Sequence, residues 1–157
     1  FDHTERHAAL LRDIAEQMAQ RPVRLLADRP GVRAVYRVTV RYDDRRALDA
    51  VTTVTRDGAG AAFTVYYEGL HHLRPAAQPL PPERFTALAQ AWQRAGFDRL
   101  HDQPGLPLRS LDLWLLERAA GTFVHSVIVA PQTAVDGWAT LVEAVRQHLP
   151  QALREIV

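Results

Sequence analysis

His125 and Ser126 are adjacent in an apolar stretch, and histidine with serine is a combination that nucleophilic catalysis uses. The alternation that they form with Phe123, Val127 and Val129 predicts a β-strand. Neighbouring strand residues point to opposite faces of a sheet, so these two side chains cannot form a nucleophile–base hydrogen bond with each other. We therefore predict no catalytic residues, and we keep His125 as a residue that could line a ligand pocket.

Two further groups of histidines have residue types that bind metals. His71 and His72 follow Glu68 in a proline-rich segment, but adjacent histidines diverge in an extended chain. His3 and His7 would share one face of a helix, yet they lie at the start of the chain, where helices fray. We predict no metal site and no cofactor, and we keep His71 and His72 as alternative pocket residues.

Arginines follow the polar face of the clearest strand pattern in the chain. Arg33, Arg37 and Arg41 form this arginine row, and Arg45 and Arg46 come after it. Arginine forks bind carboxylates and phosphates, so the row could bind an anionic surface. A solvated sheet face, with the arginine stems covering apolar atoms, is the alternative interpretation.

The composition excludes several kinds of chemistry. The chain has no cysteine, which excludes disulfides, thiolate nucleophiles and cysteine-bound zinc. All 19 basic residues are arginine, which excludes a Walker-A or Schiff-base lysine. The absence of lysine and asparagine, with three isoleucines, indicates a bacterial genome rich in G and C. A net charge of +1 argues against a specific nucleic-acid binder.

No apolar run reaches the roughly 18 to 20 residues that span a bilayer, which predicts a soluble chain without a transmembrane segment. The sequence begins at Phe1 and not at methionine, which leaves room for an N-terminal segment removed in maturation. The compartment stays unknown.

Hydrophobic periodicity predicts the elements that position these residues. Residues 1–21 form an amphipathic helix, and residues 32–42, 48–56 and 61–68 form three strands in a meander, the last two joined by the turn at 57–60. A proline-rich loop, 69–82, leads to a second helix, 82–96, and a hairpin, 111–131, leads to a third, 136–149. The order α-βββ-α-ββ-α predicts an α+β fold in which helices pack on an antiparallel sheet of about five strands, in two layers. We expect a single domain over residues 1–157, with the sheet–helix core at 32–149.

The hairpin has a predicted register and two apolar faces. A three-residue loop with Gly121 in the left-handed conformation would place Trp114 opposite Ser126. Trp114, Leu116 and Ile128 then lie on the face that the predicted layer of helices leaves open. We expect either the N-terminal helix or another protein chain to cover these residues, and we predict them as binding residues on that basis.

A strand pattern "D-x-x-x" precedes a "V-x-V" strand, and a helix, a hairpin and a further helix complete the layout over about residues 50–149. This layout loosely resembles emfourin-type protease-inhibitor modules. The glycine-rich N-terminal signature of that family is missing here, and the resemblance implies no function and no site residues for this chain.

These observations favour a non-catalytic interaction or accessory domain, a subunit of a larger bacterial assembly with another protein chain as its partner, and not an enzyme. One alternative is a small-molecule-binding domain or minor enzyme with a pocket around His125 or around His71 and His72. The other is a binder of anionic surfaces through the arginine row.

Overall fold

A six-stranded antiparallel sheet forms the centre of the structure, a computed structural model that describes residues 3–70 and 75–153. Its strand order is β4-β3-β2-β1-β5-β6. The strands are β1 (Ala34–Arg41), β2 (Ala50–Arg56), β3 (Ala61–Tyr67), β4 (Gln78–Leu80), β5 (Leu113–Ala120) and β6 (Phe123–Val129). The helices are α1 (Thr4–Gln17), α2 (Val23–Ala27), α3 (Pro82–Arg94) and α4 (Asp136–His148), with 3-10 turns at Phe97–Arg99 and Pro150–Ala152. The predicted α+β fold is confirmed.

The meander forms as the turn chemistry predicts. Oδ1 of Asp57 accepts hydrogen bonds from the backbone N–H groups of Ala59 and Gly60, at 2.8 and 3.1 Å, and this closes the turn between β2 and β3. The sixth strand, β4, lies in the segment predicted as a proline-rich loop. It pairs three residues with β3, and a strand this short has too little periodicity to be recognised in a sequence.

Helices cover both faces of the sheet. One face packs against α3 and α4, in a cluster where Val38, Trp114 and Leu116 are fully buried. The opposite face packs against α1 through Leu11 and against α2 through Val23. The structure therefore has three layers and not the predicted two. The third layer consists of the N-terminal helices α1 and α2. In the described parts of the chain, no helix is long and apolar enough to cross a membrane.

The register of the β5–β6 hairpin differs from the predicted one. Ala120 pairs with Phe123, so the loop has two residues, and Gly121 has a φ of 59° at its first position, where hairpin turns of this length favour glycine. The observed pairing differs from the predicted pairing by an odd number of residues. Side chains of the two strands that were expected on the same face of the sheet therefore lie on opposite faces. Trp114 therefore pairs with Val129 and not with Ser126.

A charged cluster fixes the end of the sheet where β1 turns into β2. Nη2 of Arg46 donates to Oδ2 of Asp112 at 2.6 Å, and Oδ1 of Asp112 accepts the backbone N–H of Asp43 at 2.9 Å. Asp112 is buried and immediately precedes β5. Arg46 thus joins the β1–β2 connection to the start of the hairpin.

The segment before β5 lies along the outer edge of β6. Oδ1 of Asp102 accepts the N–H of Ile128 at 2.8 Å, and Oε1 of Gln103 accepts the N–H of Ala130 at 2.9 Å. The backbone N–H of Gln103 donates to the carbonyl of Ile128 at 2.9 Å. This connector therefore satisfies backbone groups that an edge strand would otherwise present unpaired.

Candidate functional site

A row of polar side chains crosses the sheet beneath the N-terminal helices. Ser126 of β6 lies opposite Glu117 of β5, Glu117 lies opposite Arg37 of β1, and Arg37 lies opposite Thr53 of β2. Residues opposite one another on adjacent strands project from the same face. The row therefore separates the apolar contacts of α1 from those of α2.

Arg37 is the most deeply buried member of the row, with 2% of its surface exposed. Its Nε donates to Oγ1 of Thr53 at 2.9 Å, and its Nη1 donates to the carbonyl oxygen of Arg21 at 2.6 Å. This second bond ties the α1–α2 connection to the sheet. Nη2 has no hydrogen-bond partner within the described part of the chain. Burial lowers the pKa of Arg37, against the attraction of Glu117, but a guanidinium stays charged at physiological pH.

Glu117 is the acidic counterpart of Arg37 on the neighbouring strand. Burial raises the pKa of Glu117 above its ordinary value, and the positive charges of Arg37 and Arg12 oppose this rise. Although their backbones are paired, the two side chains do not come within the 4.0 Å of an ion pair in the described structure. Two opposite charges are therefore held close together without neutralising each other by direct contact.

A cavity of about 310 Å³ lies between this polar row and the N-terminal helices. Arg37 and Glu117 form its floor, and α1 with the segment after it forms its roof. The full lining is Arg12, Ala15, Glu16, Gln20, Pro22, Arg37 and Glu117. Arg12 and Glu16 are exposed, so the cavity opens to solvent along this side of α1. Its volume lies at the lower end of the range of about 300–1,000 Å³ that is typical of small-molecule sites.

The chemistry that this arrangement offers is recognition through charge-assisted hydrogen bonds. Oγ of Ser126 accepts a hydrogen bond from Nη2 of Arg12 at 3.4 Å. His125 lies on the other side of the sheet, where its Nε2 is 2.8 Å from the carbonyl oxygen of Leu100. Ser126 is thus adjacent to a carboxylate and an arginine, and no histidine base reaches it in the described structure.

The structure separates the members of the arginine row. Arg33 is exposed, Arg41 is half-buried with its Nη1 3.5 Å from Oδ1 of Asp43, and Arg37 is buried. The strand pattern placed all three on one polar surface, and this is incorrect for Arg37 because α1 and α2 cover the middle of that face. The three arginines do not form one continuous exposed surface.

The apolar residues predicted for binding are core residues. Trp114 and Leu116 pack beneath α3 and α4, and Ile128 packs beneath α1; none of the three is more than 3% exposed. The chain's own helices therefore cover both faces of the hairpin.

Of the predicted pocket histidines, the structure describes His125, which does not line the cavity. His125 is half-buried, with its ring centroid 5.3 Å from that of Phe97. His71 and His72 lie outside the described residues. The sequence analysis identified Arg37 but not Glu117. Glu117 lies just before the predicted hairpin turn, and the observed register pairs it with Ser126. With the correct register, the sequence would have indicated Glu117 as a neighbour of Ser126.

No protein-family model matches the chain, and no curated protein matches it significantly. The loose resemblance to emfourin-type modules therefore gains no support.

Proposed function

We propose that this chain is a small-molecule-binding domain and that its ligand occupies the cavity between α1 and the sheet. The proposed ligand carries a group that accepts hydrogen bonds from Arg37. The cavity has the volume of a small-ligand site, an opening to solvent and charged groups that converge from both strands and helix.

The observation that carries this proposal is the cavity over Arg37, a buried arginine whose Nη2 has no partner among the described residues. A buried donor without an acceptor costs about 1–3 kcal/mol, and more when the group is charged. Native structures satisfy the large majority of such groups with protein, water or ligand. Nη2 is closed off from solvent, so the Arg37 side chain has to shift for a ligand to reach it. A carboxylate would then satisfy this donor and would offset a charge that the direct contacts of Arg37 do not neutralise.

The same geometry weakens the argument for a protein partner. The two apolar faces of the hairpin motivated the hypothesis of an interaction or accessory domain, and helices of the same chain pack on both. That hypothesis stays a prediction, but its main observation is now explained within the chain.

A nuclear magnetic resonance screen of the intact chain against a library of small polar compounds tests the proposal. A ligand in the cavity is expected to shift the Nε–H resonance of Arg37, because this N–H is hydrogen-bonded to Thr53 within the same buried network. Backbone amides of α1 near Arg12 and Glu16 are expected to shift with it.

Two arginines of α1 provide the matched variants. Arg12→Gln removes a charge from the cavity lining and is expected to weaken binding. Arg6→Gln removes an exposed arginine of the same helix that does not line the cavity, and it is expected to leave binding unchanged. Compounds that leave the Arg37 resonance in place, or equal effects of the two variants, would overturn the proposal.

A further inference from the structure

The cavity presents one positive and one negative charge from each of its two walls. On the floor, Arg37 and Glu117 lie opposite each other on paired strands, with Cβ atoms about 4.5–5.5 Å apart. On the roof, Arg12 and Glu16 are four residues apart in α1 and so share one face of the helix. Two arginines and two glutamates give the lining no net charge.

We infer that the ligand of this cavity is a small zwitterion of the free α-amino acid class. Its carboxylate would accept hydrogen bonds from Arg37, and its ammonium group would donate to Glu117. This inference rests on the proposed function, since it specifies the chemistry of the ligand in the same cavity.

The two floor residues offer a ligand one donor and one acceptor. Nη2 of Arg37 is a buried donor without a partner among the described residues. The Glu117 carboxylate accepts no hydrogen bond from the described residues and is reached by solvent. A ligand that satisfies both needs an acceptor and a donor separated by roughly the spacing of paired strand residues. The carboxylate and ammonium groups of an α-amino acid are attached to one carbon, which places them within this reach.

The balance of charge argues against ligands with a single charge. A simple carboxylate beside Arg37 would lie close to the like charges of Glu117 and Glu16. A simple amine beside Glu117 would lie close to Arg37 and Arg12. A zwitterion meets an opposite charge at both ends, and charge-assisted hydrogen bonds of this kind are about twice as strong as neutral ones.

The remaining lining limits the side chain of the ligand. Ala15 and Pro22 are the apolar residues of the cavity wall, and Gln20 adds an amide. The volume of about 310 Å³ is small. These features favour amino acids with small or polar side chains over large aromatic ones.

Isothermal titration calorimetry on the full chain tests the inference, with each common L-amino acid as a probe. The des-amino and decarboxylated analogues of every amino acid that binds are then titrated. We expect at least one small or polar amino acid to bind, and each of its two analogues to bind at least about tenfold more weakly, a difference of about 1.4 kcal/mol.

The variant Glu117→Gln gives the discriminating result. It removes the partner of the ammonium group and leaves Arg37 in place, so the preference for the amino acid over its des-amino analogue should fall to within about threefold. Glu143→Gln, which changes an exposed glutamate of α4, is the matched control and should retain the full preference.

The outcomes separate this inference from the proposed function. If carboxylates without an ammonium group bind as tightly as amino acids and shift the Arg37 resonance, the cavity binds anions and the zwitterion inference is wrong. Binding of amino acids that Glu117→Gln leaves unchanged also overturns it. If no small polar compound perturbs Arg37, the proposed function itself fails.

Discussion

Replacing Leu11 by alanine should lower the free energy of unfolding by about 3 kcal/mol. Leu11 is fully buried in the cluster that joins α1 to the sheet. The substitution removes three carbons, and at about 0.8 kcal/mol for each buried methylene the transfer cost alone is about 2.4 kcal/mol. The cavity left behind adds to this, and buried leucine-to-alanine changes as a group cost about 2–5 kcal/mol.

The neighbouring leucine provides a control within the same helix. Leu10 is 39% exposed, so Leu10→Ala should cost about 1 kcal/mol or less, since solvent fills the vacated space. Both changes introduce alanine into α1, so the effect on helix propensity is the same and cancels in the comparison. The difference between the two variants therefore measures the packing of α1 on the sheet.

Urea unfolding followed by tryptophan fluorescence measures both variants against the wild-type chain. An ordinary domain has about 5–15 kcal/mol of stability, so Leu11→Ala should still fold and give a complete transition. Equal losses in the two variants would show that α1 does not pack as described. The roof of the cavity would then be absent, and the binding proposals would lose their basis.

Glu117→Gln is expected to raise the free energy of unfolding at neutral pH, because burial raises the pKa of Glu117 despite the attraction of Arg37 and Arg12. The contribution of Glu117 to wild-type stability should decrease as the pH rises from the ordinary pKa of 4.5 through the higher folded pKa, by about 1.4 kcal/mol for each pH unit between them, and the variant should lack this contribution. Urea unfolding across this pH range checks the sign, which a variant less stable than wild type at neutral pH would contradict. Arg46→Ala should cost about 1.5–3 kcal/mol, because the 2.6 Å bond to the buried carboxylate of Asp112 is lost, and Arg46→Lys should cost less. An unchanged thermal midpoint in Arg46→Ala would show that this contact contributes nothing.

The elements that the sequence predicted correctly are those whose signal is local. The alternation in β1 and the apolar stripes of α1, α3 and α4 each extend over at least eight residues, so their periodicity is distinct. Strand β4 and helix α2 are three and five residues long. Elements this short depend on the tertiary contacts that hold them and leave little pattern in the sequence.

The candidate site depended on information that no local pattern contains. The strand pattern identified Arg37 as polar and placed it on the face opposite Tyr36, but only the position of α1 and α2 decides that it is buried. Glu117 joins Arg37 because β1 pairs with β5, strands that are more than 70 residues apart in the chain. The predicted register of the hairpin was wrong because it assumed a three-residue loop, whereas Gly121 begins a loop of two residues. A change of one residue in loop length moves the side chains of a strand to the opposite face of the sheet.

The two outer strands of the sheet bear on the solubility of the folded chain. An exposed strand edge can template pairing with another molecule and so begin aggregation. Pro79 occupies the middle of β4 and has no N–H group to offer a further strand. At the opposite edge, Asp102 and Gln103 already occupy the N–H groups of Ile128 and Ala130 at the end of β6. The β4 edge and the C-terminal end of the β6 edge are therefore poor templates for intermolecular sheet growth.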